Sequence, residues 1–312
     1  MNADKVKILI IGAGVNGSAC ATILHKSGID VTLMARGQRY DDILNEGVII
    51  ENPLNGKRTV TAVPVVDRLD PDDIYDYIFV IMRKNQALEL LPLLARNHSP
   101  SIVFMGNTLA GPEEYTNALG KDRVLMGSVY AGGRREGKII RAMVFNKVAV
   151  PFGEPDGTVT PRLTRLVATL NQGVSRAKIS TCIVDNLITH ASAIPPLGNL
   201  LIKHGCDSRA FAKSTDDLYL MVDAMRESHA VIQAVGYRIE PSSDRWQETI
   251  PRFLLVALFK ALFSTKFGEV GAAYHASQAP DEMRHLSHEL SALVEKSGLA
   301  VPALRSVLAL QA

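Results

Sequence analysis

The sequence has little net charge, few cysteines and no long uninterrupted hydrophobic run. Its 312 residues carry 34 Lys and Arg against 32 Asp and Glu, which gives a formal net charge of +2. Because basic and acidic residues are interspersed, the chain lacks the sustained positive field that holds a nucleic acid. Any anion that the protein binds must therefore be small and held by a few neighbouring groups. We predict no nucleic-acid partner.

The scarce cysteines exclude a disulfide framework and a thiolate metal site. Cys20, Cys182 and Cys206 are odd in number, and none stands in a CxxC pair. His285 and His288 are three residues apart but lack carboxylate or thiol partners at suitable positions. We therefore expect reduced thiols in a cytoplasmic protein and no metal.

The hydrophobic runs are too short for export or membrane insertion. The apolar run at residues 8–11 is followed at once by Gly12, which is unlike a signal peptide. The longest later run, residues 253–263, is interrupted by Lys260 and cannot span a bilayer. These patterns predict a cytoplasmic protein without a membrane partner.

Residues up to about 180 alternate between strand-like and helical segments. Helical patterns at residues 19–28 and 86–98 separate some of the strands. The predicted strands are residues 7–12, 30–36, 77–82, 101–106, 123–129, 138–145 and 147–153. This alternation is typical of a mostly parallel sheet covered by helices.

Strand signals stop near Thr181, and long 3.6-periodic segments follow, including residues 208–236 and 280–298. The sequence thus predicts an α/β Rossmann-type N-terminal domain over residues 1–180, followed by an all-α C-terminal domain over residues 181–312. No Gly- and Ser-rich linker separates them, so we expect the domains to pack closely around a cleft. The long helices also offer surface for a homodimer, although the sequence leaves monomer and dimer open.

A glycine fingerprint lies between the first strand and the first helix. Gly12, Gly14 and Gly17 form GxGxxG, in which the glycines permit a tight turn, close approach to a pyrophosphate and close helix packing. Val15 and Asn16 lie within it, and the first amide groups of the helix would face the phosphates. The alternative is a glycine-rich turn that serves packing alone.

The second strand ends in a basic residue rather than an acidic one. Enzymes that prefer NAD usually carry Asp or Glu there, whereas this chain has Arg36, followed by Arg39. A guanidinium at this position can bind a ribose 2′-phosphate, which favours NADP(H) as cofactor. A solvated basic turn is the alternative.

Taken together, several motifs resemble the ketopantoate reductases. Besides the fingerprint and Arg36, they are Gln86, the GNT of residues 106–108, the GGRREG of residues 132–137, and the tail segments at 279–283 and 297–302. The resemblance covers nearly the whole chain and is specific in the first domain. It implies a Rossmann domain joined to a helical domain, with NADPH-dependent reduction of 2-dehydropantoate in the cleft between them.

The resemblance also implies a cofactor site, in which Asn107 lies beside the nicotinamide and Arg83 replaces the family's lysine. A turn-forming asparagine is the alternative for Asn107. The cofactor-binding residues predicted in this way are Gly12, Gly14, Val15, Asn16, Gly17, Arg36, Arg83, Gln86 and Asn107.

The second domain departs from the family's pattern at the proton donor. Where the family has a lysine and two asparagines at spacings of four, this chain has Asn186, His190 and Ile194. An amide cannot protonate the oxyanion left by hydride transfer, but a histidine can. We therefore predict that His190 is the acid and that Asn186, on the same helix face, orients the substrate. The alternative is a core histidine on a helix that breaks at Pro195 and Pro196.

One carboxylate matches the family's substrate-binding glutamate. Glu282 opens the helix after Pro280, where an acidic residue also complements the helix dipole without any catalytic role. The segment before it offers His275, Ser277 and Gln278 as further groups. The predicted catalytic residues are His190, Asn107, Asn186 and Glu282.

These residues predict an NADP-dependent oxidoreductase of the ketopantoate reductase type, acting on a small-molecule carbonyl substrate such as a 2-oxo acid. The lost lysine and the apolar Ile194 favour a substrate other than 2-dehydropantoate. Three alternatives stay open: an NADPH-binding sensor without turnover, an opine-type dehydrogenase that reduces an imine, and reduction of 2-dehydropantoate itself with a rearranged acid.

Overall fold

A computed structural model describes residues 5–129, 131–144, 149–173 and 176–311 of the chain. Its contacts divide into two compact units. One consists of Met1–Gly106 and Pro112–Val184, and the other of Asn107–Gly111 and Asp185–Ala312. The short segment Asn107–Gly111 thus belongs by its contacts to the second unit, although residues of the first unit flank it in sequence.

In the part of the chain that the structure describes, the first unit is built on an eight-stranded sheet and a smaller four-stranded sheet. Along the first sheet the order is β12-β11-β8-β7-β6-β1-β2-β5, and along the second it is β4-β3-β10-β9. The strands are β1 (Lys7–Ile11), β2 (Asp30–Met34), β3 (Val48–Glu51), β4 (Arg58–Thr61), β5 (Val65–Val66), β6 (Tyr77–Val80), β7 (Ile102–Phe104), β8 (Val124–Gly127), β9 (Ala131–Glu136), β10 (Ile139–Val144), β11 (Val150–Gly153) and β12 (Ala177–Ile179).

The large sheet has the Rossmann order. From β5 through β2, β1, β6 and β7 to β8 all neighbouring strands run parallel, and the direction of chain progression reverses between β1 and β6. In such sheets ligands bind beyond the carboxyl ends of the strands at this switch point. The Rossmann-type fold predicted from the sequence is confirmed, and all seven predicted strands are present; residue 145 and residues 147–148 of two of them lie outside the described residues.

Within the described residues, six α-helices lie entirely in the first unit. They are α1 (Val15–Lys26), α2 (Gln38–Glu46), α3 (Lys84–Glu89), α4 (Leu91–Arg96), α5 (Glu113–Leu119) and α6 (Pro161–Leu170). Helix α1 contacts β1 and β2 of the large sheet and β3, β9 and β10 of the small one. Because both sides are covered, every residue from Gly17 to Leu24 is buried.

The regular secondary structure that is described in the second unit is helical. After α7 (Ile183–Ser192), which begins at the end of the first unit, it contains α8 (Ile194–Lys203), α9 (Ser208–Lys213), α10 (Thr215–Ala234), α11 (Trp246–Thr249), α12 (Arg252–Phe263), α13 (Lys266–Gly268), α14 (Tyr274–Gln278), α15 (Pro280–Ser297) and α16 (Pro302–Leu308). The long helix α10 packs against α8, α12, α15 and α16 and buries Met221, Val231 and Ile232. The predicted all-α C-terminal region is confirmed.

The proline pair breaks the helix that carries Asn186 and His190. Pro195 and Pro196 fall in the first turn of α8, immediately after α7 ends at Ser192. Proline is tolerated there because the first amides of a helix have no intrahelical partner. Within the described residues no helix is both long and apolar enough to cross a membrane.

Candidate active site

The glycine fingerprint forms a tight turn at the carboxyl end of β1. Gly12 has a φ of 114°, a conformation that side chains rarely adopt, and a Cβ there would overlap the carbonyl oxygen of Ile81. A Cβ on Gly17 would overlap the carbonyl of Gly12 itself. These two glycines are therefore required by the packing of the turn against β6 and α1.

Gly14 differs from the other two, because a Cβ there would meet no atom within 4 Å. Its side is open where a ligand would approach, so packing does not explain this glycine. Gly14 is the N-cap of α1, no side chain among the described residues caps this end, and the first turn carries no acidic residue. An open side next to uncapped amides fits a pyrophosphate, which the helix dipole also favours.

Two side chains hold the turn in place. Arg39 is only 7% exposed, and its guanidinium donates to the carbonyl oxygens of Ala13 (3.2 Å) and Lys138 (2.9 Å) and to Ser18 Oγ (3.1 Å). Burial, with a smaller contribution from Arg135, lowers the pKa of Arg39 to about 10, and Asp42 opposes the shift. The guanidinium of Arg39 therefore forms hydrogen bonds that hold the turn. Its position in the sequence, close to Arg36, had suggested a contact with the ribose phosphate instead.

Asn16 is the second residue that holds the turn. Its Oδ1 accepts a hydrogen bond from the backbone amide of Ala131, at the start of β9, at 2.8 Å. The side chain thus ties α1 to the small sheet. This hydrogen bond uses only the side-chain oxygen of Asn16. The backbone amide of Asn16 is a separate group and lies in the first turn of α1.

The remaining predicted cofactor residues follow neighbouring strands of the large sheet. Arg36 comes shortly after β2 and is exposed. Arg83 is the N-cap of α3, which follows β6, and Gln86 lies in α3 with its side chain partly exposed. Because β2, β1 and β6 are parallel neighbours, the structure brings these residues and the glycine turn to one edge of the sheet.

Asn107 and Glu282 are joined directly. Asn107 Nδ2 donates to Glu282 Oε1 at 2.8 Å, although the residues are 175 positions apart. Glu282 lies in the first turn of α15 and is only 5% exposed. A carboxylate that serves only the helix dipole would be solvated, so burial and this bond favour a role in the site.

A second glutamate on the same face of α15 was missed in the sequence. Glu289 Oε2 accepts from the backbone amide of Leu109 at 2.7 Å, and its position seven residues after Glu282 places both on one side of the helix. Together they hold both ends of the 107–109 turn. The i, i+7 spacing of carboxylates on a predicted helix was the signal available.

His190 is accessible to solvent, yet protein surrounds it closely enough to affect its charge. The desolvation that results lowers the pKa of His190, His275 lowers it further, and Asp244 and Glu282 oppose the shift. Asn186 lies one turn earlier on α7 and is partly exposed. His190 therefore belongs to the same electrostatic cluster as Glu282.

His275 completes this cluster. Its Nε2 lies 3.4 Å from Glu282 Oε2, and its side chain is 39% exposed. Ser277, considered with it in the sequence, instead donates to the carbonyl of Tyr274 at 2.9 Å. Among the described residues no group of three His, Cys, Asp or Glu side chains is placed to hold a metal ion.

Comparison with known proteins finds a family model that matches part of the first unit. A model of the family described as Ketopantoate reductase PanE/ApbA matches residues 8–157. A 2-dehydropantoate 2-reductase from Pyrococcus horikoshii is 37% identical over 67 residues, which is 22% of this chain and 22% of that protein. The family match lies within the first unit and includes the glycine turn.

Solved structures extend the likeness to the helical unit. D-mandelate dehydrogenase with NADH and anilino(oxo)acetate superposes with a TM-score of 0.77 and 16% identity, covering 98% of this chain and 97% of that one. A 2-dehydropantoate 2-reductase from Methylococcus capsulatus gives 0.71 and 20% identity, covering 98% and 95%.

The resemblance found in the sequence is therefore confirmed. Residues 8–157 match the ketopantoate reductase family model, and the chain shares the fold of a 2-dehydropantoate 2-reductase over nearly its full length.

Proposed function

We propose that the protein is an NADPH-dependent oxidoreductase that reduces a small carbonyl compound. In this proposal residues 1–180 bind NADP(H) and residues 181–312 bind the substrate. The observation that carries it is the bond between Asn107 and buried Glu282, with His190 electrostatically coupled to that carboxylate. A protein that only bound the nucleotide would have no use for this arrangement in its helical unit.

The first unit supplies the residues for cofactor binding. The amides of Val15, Asn16 and Gly17 would hold the pyrophosphate against the open side of Gly14. Arg36, exposed after β2, would bind the 2′-phosphate, which is the basis for naming NADPH rather than NADH. Arg83 and Gln86 would lie near the nicotinamide half. When bound, NADPH supplies a hydride to the carbonyl carbon of the substrate.

The second unit would handle the substrate oxygen. His190 donates to that oxygen, because an imidazole is a hydrogen-bond donor when neutral and an acid when protonated. Asn186 and Asn107 orient the carbonyl, and Glu282 keeps Asn107 in position. Asn186 stands where the family has its lysine, and His190 stands where the family has its first asparagine. This exchange favours a carbonyl compound that needs no fixed cation, such as an uncharged ketone or a bulkier 2-oxo acid.

Imine reduction is the second candidate. The lowered pKa of His190 keeps much of the imidazole neutral near pH 7, and a neutral imidazole can accept a proton from an amine during imine formation. In this case the substrate would be a 2-oxo acid together with an amino acid. As in carbonyl reduction, NADPH would supply a hydride, here to the carbon of the imine.

The test compares NADPH binding with NADPH oxidation. Titration of cofactor fluorescence gives the dissociation constant, and loss of NADPH absorbance gives turnover with 2-oxo acids, uncharged ketones and 2-oxo acid plus amino acid pairs. We expect turnover with at least one carbonyl class. Tight NADPH binding without turnover on the whole panel would instead favour a nucleotide sensor.

We also propose that the protein is a cytoplasmic homodimer. One face of α12 exposes Phe253, Leu254 and Leu258, which are 60%, 48% and 51% accessible. Apolar side chains exposed together on one helix face are typical of an interface. Sedimentation of the wild type and Leu258→Lys tests this, since the variant should shift the protein towards monomer.

A further inference from the structure

Two carboxylates on α15 contact the short turn that carries Asn107. Glu282 accepts from the side-chain amide of Asn107 at 2.8 Å. Glu289, two helical turns later, accepts from the backbone amide of Leu109 at 2.7 Å. The sequence had suggested a role for Glu282 but none for Glu289, so the second contact needs its own explanation.

The carboxylate of Glu289 is largely buried. Its side chain is 10% exposed, and Leu109, whose amide it accepts from, is fully buried. The other carboxylate oxygen lies 3.3 Å from Nε2 of His285, one helical turn earlier. Burying a carboxylate is costly, and a neutral acceptor would be enough to satisfy one backbone amide. A charged acceptor forms a shorter and stronger hydrogen bond, which indicates that this point of the turn has to be held firmly.

The turn is stiff enough to transmit a constraint from Leu109 to Asn107. Thr108, which lies between them, is 2% exposed. Its Oγ1 accepts from the backbone amide of Ala110 at 3.3 Å and donates to the carbonyl oxygen of Gly111 at 3.4 Å. Because these hydrogen bonds close the segment on itself, fixing the amide of Leu109 also fixes the direction of the chain at Asn107.

Helix α15 is a rigid support for both contacts. It runs for 18 residues, and its residues Met283, Leu286 and Leu290 are fully buried in the helical unit. Glu282 and Glu289 are seven residues apart, which corresponds to about 10 Å along the helix axis. One hydrogen bond would let the turn pivot around it, whereas two bonds this far apart fix its orientation.

We propose that Glu289 is a positioning residue, which holds the backbone of the turn at Leu109 so that the side-chain amide of Asn107 stays aimed at the substrate oxygen. This inference deepens the proposed function and rests on it for the role of Asn107. Glu289 acts through the turn and has no contact of its own with the substrate. A displacement of about 1 Å in a group that orients the substrate can slow a reaction on the order of 10²-fold, so the loss of this support is measurable.

The first experiment observes Asn107 directly and needs no turnover. The side-chain amide signals of isotope-labelled protein are recorded by NMR for wild type, Glu289→Ala and Glu289→Gln, and Asn107→Ala identifies the signal of interest. In Glu289→Ala we expect this signal to move towards that of a solvated amide. In Glu289→Gln it should stay close to wild type, because the glutamine oxygen can still accept from the amide of Leu109.

Glu295 provides the matched control on the same helix. Its carboxylate is bound to Arg305 at 2.7 Å, and its side chain is 70% exposed. Glu295→Ala removes this exposed ion pair between α15 and α16, so the Asn107 signal should stay where it is in wild type. A shift as large as that in Glu289→Ala would show a general disturbance of α15 and would overturn the proposal.

The second experiment measures turnover with the carbonyl class that the panel identifies. Glu289→Ala should lower kcat by about 10- to 10²-fold with little change in KM, and Glu289→Gln should retain most of the wild-type kcat. Because Glu289 acts through Asn107, the alanine substitution should cost little further in a protein that already carries Asn107→Ala. Glu289→Met, which fills more of the space, replaces the alanine variant if that variant fails to fold.

Each outcome decides a different claim. An unchanged Asn107 signal in Glu289→Ala overturns the positioning role, and so does a loss of kcat that is equally large in the Asn107→Ala background. A glutamine variant as impaired as the alanine variant overturns the route through the amide of Leu109. A wild type that reduces no carbonyl compound overturns the proposed function, whereas the NMR comparison still decides whether Glu289 fixes Asn107.

Discussion

Glu282 accepts a hydrogen bond from Asn107 at 2.8 Å with one carboxylate oxygen, and its other oxygen lies 3.4 Å from His275. One buried carboxylate thus bonds to the amide side chain of a turn and lies next to an imidazole of a helix. The charge and the shape of Glu282 have separate roles, which substitutions can distinguish.

The first prediction separates these roles. Glu282→Gln keeps an acceptor for Asn107 but removes the charge beside His275, so kcat should fall while the protein stays folded. Asn107→Ala removes a donor that would orient the carbonyl, and kcat/KM should fall by about 10²–10³-fold. Both are compared with wild type by steady-state kinetics and thermal melting. Unchanged kcat/KM in Asn107→Ala would remove this residue from the site.

The second prediction concerns Arg39. Arg39→Met leaves the buried carbonyls of Ala13 and Lys138 without donors, and an unsatisfied buried polar group costs about 1–3 kcal/mol. The free energy of unfolding should fall accordingly, and NADPH should bind more weakly because the turn loses its support. Denaturant unfolding and fluorescence titration measure the two effects. Full NADPH affinity in a destabilised variant would show that Arg39 supports the fold alone.

The third prediction concerns cofactor choice. Arg36 is exposed, so Arg36→Gln should leave the melting temperature unchanged while NADPH affinity falls about tenfold or more, the loss expected for a charge-assisted bond to phosphate. NADH affinity should change little. The ratio of the two dissociation constants is the measurement. Equal losses for both cofactors would contradict a 2′-phosphate contact.

The fourth prediction is a pH dependence of stability. His229 is 2% exposed, and burial lowers its pKa, which Glu248 opposes. Because the unfolded chain binds the proton more readily, stability is present above the unfolded value of about 6.5 and is lost as pH falls towards the folded pKa. His229→Gln should reduce this acid sensitivity in denaturant unfolding. An identical pH slope in the variant would assign the sensitivity to other groups.

Six strands of the large sheet were predictable because they depend on local periodicity, whereas the short strands β5 and β12 at its two edges were not predicted. The small sheet was only partly foreseen: the 138–145 segment that forms β10 was predicted, but β3, β4 and β9 were not. Val60 of β4 is exposed, and β9 begins with Ala131, Gly132 and Gly133, so neither strand shows clear alternation. Strands of this kind are specified by their partners rather than by their own residues.

The sequence identified several residues of the candidate site, but it did not indicate which of them contact one another. Asn107 and Glu282 were both identified, yet nothing local indicates that residues 175 positions apart are bonded. Arg36 and Arg39 appear equivalent in sequence, although the structure leaves one exposed and buries the other. His275 lies 3.4 Å from Glu282 and comes shortly after a π turn that no sequence pattern predicts.

The most direct test of the central claim follows the hydride and the proton together. NADPH carrying deuterium at both C4 positions is mixed with the protein and a carbonyl substrate in a single turnover, with wild type and His190→Ala compared at equal cofactor occupancy. We predict deuterium at the new carbinol carbon with wild type, and a rate reduced on the order of 10²-fold or more in the variant. Equal rates for the two proteins, or a product without deuterium, would contradict carbonyl reduction by this site.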